Sequence, residues 1–106
     1  MMVTLQIIDV ARGAPVPRVP VELDLFITGH GWREVGRSIT NTDGRVLDFG
    51  EPAAEGVYRM MIDAAVYIPD SFFPSIAIMI DVRDPRQHYP VAVLLSPFGY
   101  TVYRAP

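Results

Sequence analysis

The sequence has no cysteine, no lysine, only two histidines and one tryptophan in 106 residues. Without cysteine there can be no disulfide, no thiolate nucleophile and no thiolate-bound metal. All nine basic residues are arginines, which excludes Schiff-base chemistry and a lysine general base. His30 and His88 are the only side chains whose ordinary titration falls near neutrality, so candidates for proton transfer are few. No apolar run approaches the roughly 20 residues of a membrane-spanning helix. The opening Met-Met-Val-Thr-Leu-Gln has neither a basic segment nor a small-residue cleavage site. No signal peptide and no membrane partner are expected, and the expected location is the cytoplasm. A net charge of −3 argues against a nucleic-acid partner, whose binding depends on neutralising phosphates. There is no carboxylate pair, no metal-ligand spacing and no glycine-rich phosphate loop, so neither a metal nor another cofactor is expected.

The chain does have apolar material and turn formers. Half of it is hydrophobic, and it carries ten prolines and eight glycines. Together these make about 17% of positions against an average of about 12%, which disfavours a helical bundle. One domain, 1–106, is expected. The segments between the breakers have period two. Val3, Leu5 and Ile7 oppose Thr4, Gln6 and Ile8. Val19, Val21, Leu23 and Leu25 alternate with Pro20, Glu22, Asp24 and Phe26. Further strands are predicted over 32–39, 45–49, 56–63, 76–82, 91–96 and 100–104. Asn41-Thr42-Asp43-Gly44 reads as a turn. Only 64–68 suits a helical turn or two, which Pro69 stops. Short strands at this spacing predict a β-sandwich. Val91–Leu95 is apolar on both faces, whereas a two-layer sandwich has one interior, so a second copy of the chain is expected to cover the other face.

Several blocks resemble the transthyretin / 5-hydroxyisourate hydrolase family. They are Ile8-Asp9-Val10-Ala11-Arg12-Gly13 with Val19-Pro20-Val21-Glu22-Leu23, then Thr40-Asn41-Thr42-Asp43-Gly44-Arg45, Phe72-Phe73-Pro74, and the run from His88 to Arg104. They keep their order from end to end of the chain. The resemblance implies an all-β, transthyretin-like, eight-stranded β-sandwich with at most one short helix. It also implies a homotetramer, a dimer of dimers, with a small-molecule ligand in an inter-dimer channel. The stretch from the helix to Phe72 is shorter here than the family usually has.

The hydrolase branch opens a cyclic ureide, and its site resembles four parts: a first-strand histidine, the arginine of the Asp-Gly-Arg turn, a histidine opening the seventh strand, and a Tyr-Arg-Gly-Ser tail. Here the two histidine positions are Gln6 and Pro90, and the tail reads Tyr103-Arg104-Ala105-Pro106. Neither Gln6 nor Pro90 can take a proton from water at neutral pH. Arg45 survives, as does the Tyr103-Arg104 pair. The resemblance and strand parity together give a wall of Gln6, Ile8, Pro90, Ala92, Leu94, Thr101 and Tyr103, with Arg45 at one end. His88, two residues before Pro90, shares its face as a displaced base; the alternative is an exposed loop histidine. Arg45, Tyr103 and His88 are therefore the candidate catalytic groups. Gln6, Ile8, Pro90, Ala92, Leu94, Thr101 and Arg104 are the candidate substrate-binding groups. The expected function is hydroxyisourate hydrolase-like chemistry at a re-purposed site. It would be ring hydrolysis, isomerisation or cyclisation of a small heterocyclic or polyketide-like molecule. Two alternatives stand beside it: a non-catalytic binder of small molecules, and an authentic hydroxyisourate hydrolase using a displaced base.

Overall fold

The alternation in the sequence becomes two stacked sheets in the structure, a computed structural model that describes residues 2–49 and 54–106. The strands are β1 (Met2–Asp9), β2 (Ala14–Pro15), β3 (Pro20–Ile27), β4 (Gly31–Ile39), β5 (Arg45–Val46), β6 (Gly56–Asp63), β7 (Ser75–Val82), β8 (His88–Ser96) and β9 (Gly99–Arg104). One sheet runs β2-β1-β8-β9, with β5 also paired to β1; the other runs β4-β3-β6-β7. All pairings are antiparallel except β1 with β8, which run parallel from Met2 opposite His88 to Asp9 opposite Leu95. A parallel pair needs a long crossover. Here the crossover is β2 to β7, which includes the whole second sheet.

The core lies between the sheets. Val3, Leu5 and Ile7 of β1 and Val91, Val93 and Leu95 of β8 face Val21 and Leu23 of β3 and Tyr58, Met60 and Ile62 of β6, all buried. Fully burying one such aliphatic side chain stabilises the fold by about 1.5–3 kcal/mol. By parity, the other residues of β1 and β8 point away from the core, and that outer face carries the candidate site.

The all-β sandwich expected from the sequence is what forms. It has seven strands of six to nine residues and two two-residue pieces, β2 and β5. The expected short helix is a single 3-10 turn, Ala64–Val66, without a side-chain cap from Asp63. Pro69 follows too soon for a longer helix. β8 begins at His88, three residues before the strand read from the sequence. Pro90, which has no N–H to donate, is tolerated there because β9 pairs with β8 only from Val91 onward.

Candidate functional site

Arg45 is placed by the turn that precedes it. The Asn41 side-chain Oδ1 accepts from the Asp43 and Arg45 amides at 2.9 and 3.0 Å. The Gly44 amide donates to the Asn41 carbonyl, and the Asn41 amide to the Arg45 carbonyl. Gly44 has φ +72°, and its carbonyl accepts from the Ile7 amide at 2.8 Å. That bond fastens the turn to β1 and sets Arg45 opposite Gln6.

The registers then extend a row across the sheet. Gln6 is opposite Ala92, and Ala92 is opposite Tyr103. Arg45, Gln6, Ala92 and Tyr103 thus lie side by side on the outer face, spanning four strands at about 4.8 Å per strand. Arg45 and Tyr103 are exposed, Gln6 is half-buried and Ala92 is buried. Among the described residues, no carboxylate lies within ion-pairing distance of Arg45; the ion pairs involve Arg37, Arg59, Arg83 and Arg86. An unpaired guanidinium beside an amide and a phenol is suited to a carbonyl or anionic ligand group.

On one side of this row, Ile8, Leu94 and Thr101 form a second, more apolar row. On the other side, Thr4 is opposite Pro90. His88 sits at the rim, exposed, as the first residue of β8, with Nε2 at 2.8 Å from the Thr4 Oγ1. The structure therefore gathers Arg45, Tyr103, His88, Gln6, Ile8, Pro90, Ala92, Leu94 and Thr101 on one face.

Arg104 is not part of that face. It alternates with Tyr103, so its side chain leaves the other side of β9. Its guanidinium carbon lies 4.7 Å from the centre of the Tyr89 ring, and Nη2 donates to the His88 carbonyl at 3.0 Å. It lines a cleft of about 280 Å³ between β7 and β9, with Ile78, Ile80, Val91 and Val102. Its contacts hold the start of β8 in place. Thr4 was missed by the sequence reading. Parity places it beside Gln6, but only the long-range parallel register brings it to His88.

Away from the face, the remaining polar groups hold structure. Asp9 accepts from the Ala11 and Arg12 amides and from the Tyr67 hydroxyl, at 2.9, 3.1 and 2.9 Å. Burial, and then the Asp9 carboxylate, push the Tyr67 phenol above its ordinary value. Among the described residues, no three His, Asp or Glu side chains are placed to hold a metal ion, and no helix is long and apolar enough to cross a membrane.

Two such stacked sheets, one built around a parallel β1–β8 pair and carrying a polar row on its outer face, define a transthyretin-like sandwich. Residues 3–105 match the HIUase/Transthyretin family, and the chain belongs to it. It is 36% identical over 117 residues to the uric acid degradation bifunctional protein TTL of Arabidopsis thaliana. That match covers 96% of this chain and 36% of the plant protein, so the chain spans about a third of its length. It is 32% identical over 109 residues to the 5-hydroxyisourate hydrolase of Salmonella dublin, covering 97% of this chain and 79% of that protein. Among solved structures, sea bream transthyretin in complex with thyroxine superposes with a TM-score of 0.90 at 25% identity, over 97% of this chain and 93% of that one. Klebsiella pneumoniae 5-hydroxyisourate hydrolase shares the fold, with a TM-score of 0.86 at 23% identity over the whole of both chains.

Proposed function

We propose that this chain is a hydrolase-type member of the family with a re-purposed site on the outer face of the β2-β1-β8-β9 sheet. Its ligand is a small, flat, carbonyl-bearing heterocycle of the cyclic-ureide class, and its reaction is hydrolytic ring opening. The observation that carries the reading is the row Arg45–Gln6–Ala92–Tyr103, which aligns an amide, a phenol and a cation with no ion-pair partner among the described residues across four strands of one sheet. Arg45 binds the carbonyl whose oxygen becomes negative as water adds, and a fixed cation there lowers the barrier. Gln6 pairs donor and acceptor with a ring amide. Tyr103 donates from the opposite end of the row. Ile8 and Leu94 give the flat ring an apolar floor. His88 is the one imidazole on the face.

The Salmonella dublin relative, named as a 5-hydroxyisourate hydrolase, supports the reaction class. The substitutions at the two histidine positions, Gln6 and Pro90, support a changed substrate and a slower reaction on hydroxyisourate itself. Fold alone would not choose between catalysis and carriage. Self-association belongs to the same proposal. The outer face of β8 presents Pro90, Ala92 and Leu94, and a second copy lying across it would turn the open row into a channel, in a dimer of dimers.

The test is ring opening of hydroxyisourate, generated in place by urate oxidase, and of hydantoin and dihydrouracil. Decay above the spontaneous rate for at least one of them, abolished in Arg45→Ala, is expected. Tight binding of these compounds without turnover would replace the reading with that of a carrier.

A further inference from the structure

We propose that Thr4 and His88 form a proton relay serving the Arg45 row, with the Thr4 hydroxyl standing between the reacting water and the imidazole. The inference rests on the hydrolytic reading above and supplies the route by which His88, at the rim, can act as its base. Three observations carry it. The Thr4 Oγ1 and His88 Nε2 are 2.8 Å apart, the separation expected of a hydroxyl and the base that activates it. Thr4 is a buried polar residue, 9% exposed, and among the described residues His88 is its only side-chain hydrogen-bond partner. The Thr4 oxygen therefore keeps acceptor capacity for a water. Thr4 is also the same-face neighbour of Gln6 on β1, about 7 Å along the strand, so it lies between the exposed imidazole and the polar row.

His88 is held for this role from behind. Arg104 donates to its carbonyl at 3.0 Å while stacking on Tyr89. The Tyr89 hydroxyl accepts from the Asp84 amide and donates to the Asp84 carbonyl, at 3.1 and 3.0 Å. The turn before β8 and the end of β9 are thereby pinned around His88. Arg104, in the position of the family's tail arginine, acts here as a positioning residue.

The step balances with water as the only co-reactant. Thr4 passes its hydroxyl proton to Nε2 of neutral His88 and takes one from the water. The resulting hydroxide oxygen bonds to the ligand carbonyl carbon, and the carbonyl electron pair moves to its oxygen, against Arg45. Collapse of this adduct breaks the ring C–N bond. The proton then returns from Nε2 through Thr4 to the leaving nitrogen.

The test combines two readouts on the full chain. In the ring-opening assay with hydroxyisourate, hydantoin and dihydrouracil, Thr4→Val and His88→Asn are each expected to lower kcat on the order of 10²-fold, the scale of one general base. KM should change little, and the double variant should be no worse than either single one. Thr4→Ser restores the hydroxyl and is expected to restore the rate. Thr4→Val at the wild-type rate, alongside an impaired Arg45→Ala, overturns the relay and leaves the functional reading intact. Arg45→Ala at the wild-type rate overturns the reading itself. The second readout needs no substrate. Nitrogen-15 NMR of neutral His88 is expected to show Nδ1 protonated and Nε2 accepting, with that balance altered in Thr4→Val. An Nε2-protonated imidazole that ignores Thr4→Val overturns the relay.

Discussion

Replacing Gly44 with alanine tests how the fold delivers Arg45 to the site. Gly44 has φ +72°, and a Cβ built on it would lie 2.5 Å from the Ile7 carbonyl oxygen, 2.9 Å from the Val16 nitrogen and 3.1 Å from the Pro15 Cβ. Two of these are backbone atoms already committed to hydrogen bonds: the Val16 amide donates to the Ile7 carbonyl at 3.0 Å. They cannot move aside as a flexible side chain would. The left-handed conformation costs a residue with a Cβ about 1–2 kcal/mol, and overpacking against a fixed neighbour costs about 1–3 kcal/mol more. Gly44→Ala should therefore lose about 2–5 kcal/mol, a large part of the 5–15 kcal/mol typical of a domain. Gly13 is the control: its φ is +65°, but a Cβ there meets nothing within 4 Å. Gly13→Ala should carry only the conformational cost, about 1–2 kcal/mol. Urea unfolding of both variants measures the difference, read from midpoints at constant slope. Equal losses would refute the close approach of the turn to β1, and with it the account of how Arg45 is positioned.

Asp24 is buried, with the partly exposed Arg59 guanidinium at 3.0 Å and stacked on Trp32. Arg59→Met leaves a buried carboxylate uncompensated and should cost about 3 kcal/mol. Asp24→Asn leaves an arginine that can reach water and should cost about 1 kcal/mol; thermal unfolding that shows equal losses would contradict this asymmetry. Burial holds the Tyr58 and Tyr67 phenols above the ordinary value of 10.0, with Asp9 adding to the effect at Tyr67. Their contribution to stability is complete below that value and disappears as pH rises through the raised ones. Stability measured against pH should therefore fall on the alkaline side, and less steeply in Tyr67→Phe, which itself loses about 1–2 kcal/mol at neutrality. An unchanged alkaline limb in Tyr67→Phe would remove Tyr67 from this account. Leu94→Arg, on the half-buried outer face of β8, should leave the folded chain intact and reduce its mass in sedimentation. Unchanged association would place the contact between copies elsewhere.

Local pattern carried much of this molecule. The alternation over β1 already separates Val3, Leu5 and Ile7 from Thr4, Gln6 and Ile8, and Asn41 to Gly44 names the turn before Arg45. The same alternation, carried to β9, puts Tyr103 and Arg104 on opposite faces, as adjacent strand residues must be. The family pattern treats the two as a pair, and it is the pleat that sends Arg104 to Tyr89. Two features have no local signature. The parallel register of β1 against β8 joins residues more than 80 positions apart, and nothing in either strand states that Thr4 meets His88. The burial of Asp24 is equally silent, because in sequence it is an ordinary polar residue between Leu23 and Leu25. It is covered only because β3 pairs it with Arg59, and β4 skips Val35 where Glu34 comes opposite.

The most direct test of the central claim is the ring-opening rate with intact and altered Arg45. Hydroxyisourate freshly generated by urate oxidase, hydantoin and dihydrouracil are each followed by absorbance with wild-type protein and with Arg45→Ala. Wild type is expected to exceed the spontaneous rate on at least one of the three, and Arg45→Ala to return that rate to background. A wild-type rate at background on all three, or an Arg45→Ala rate equal to wild type, would contradict that claim.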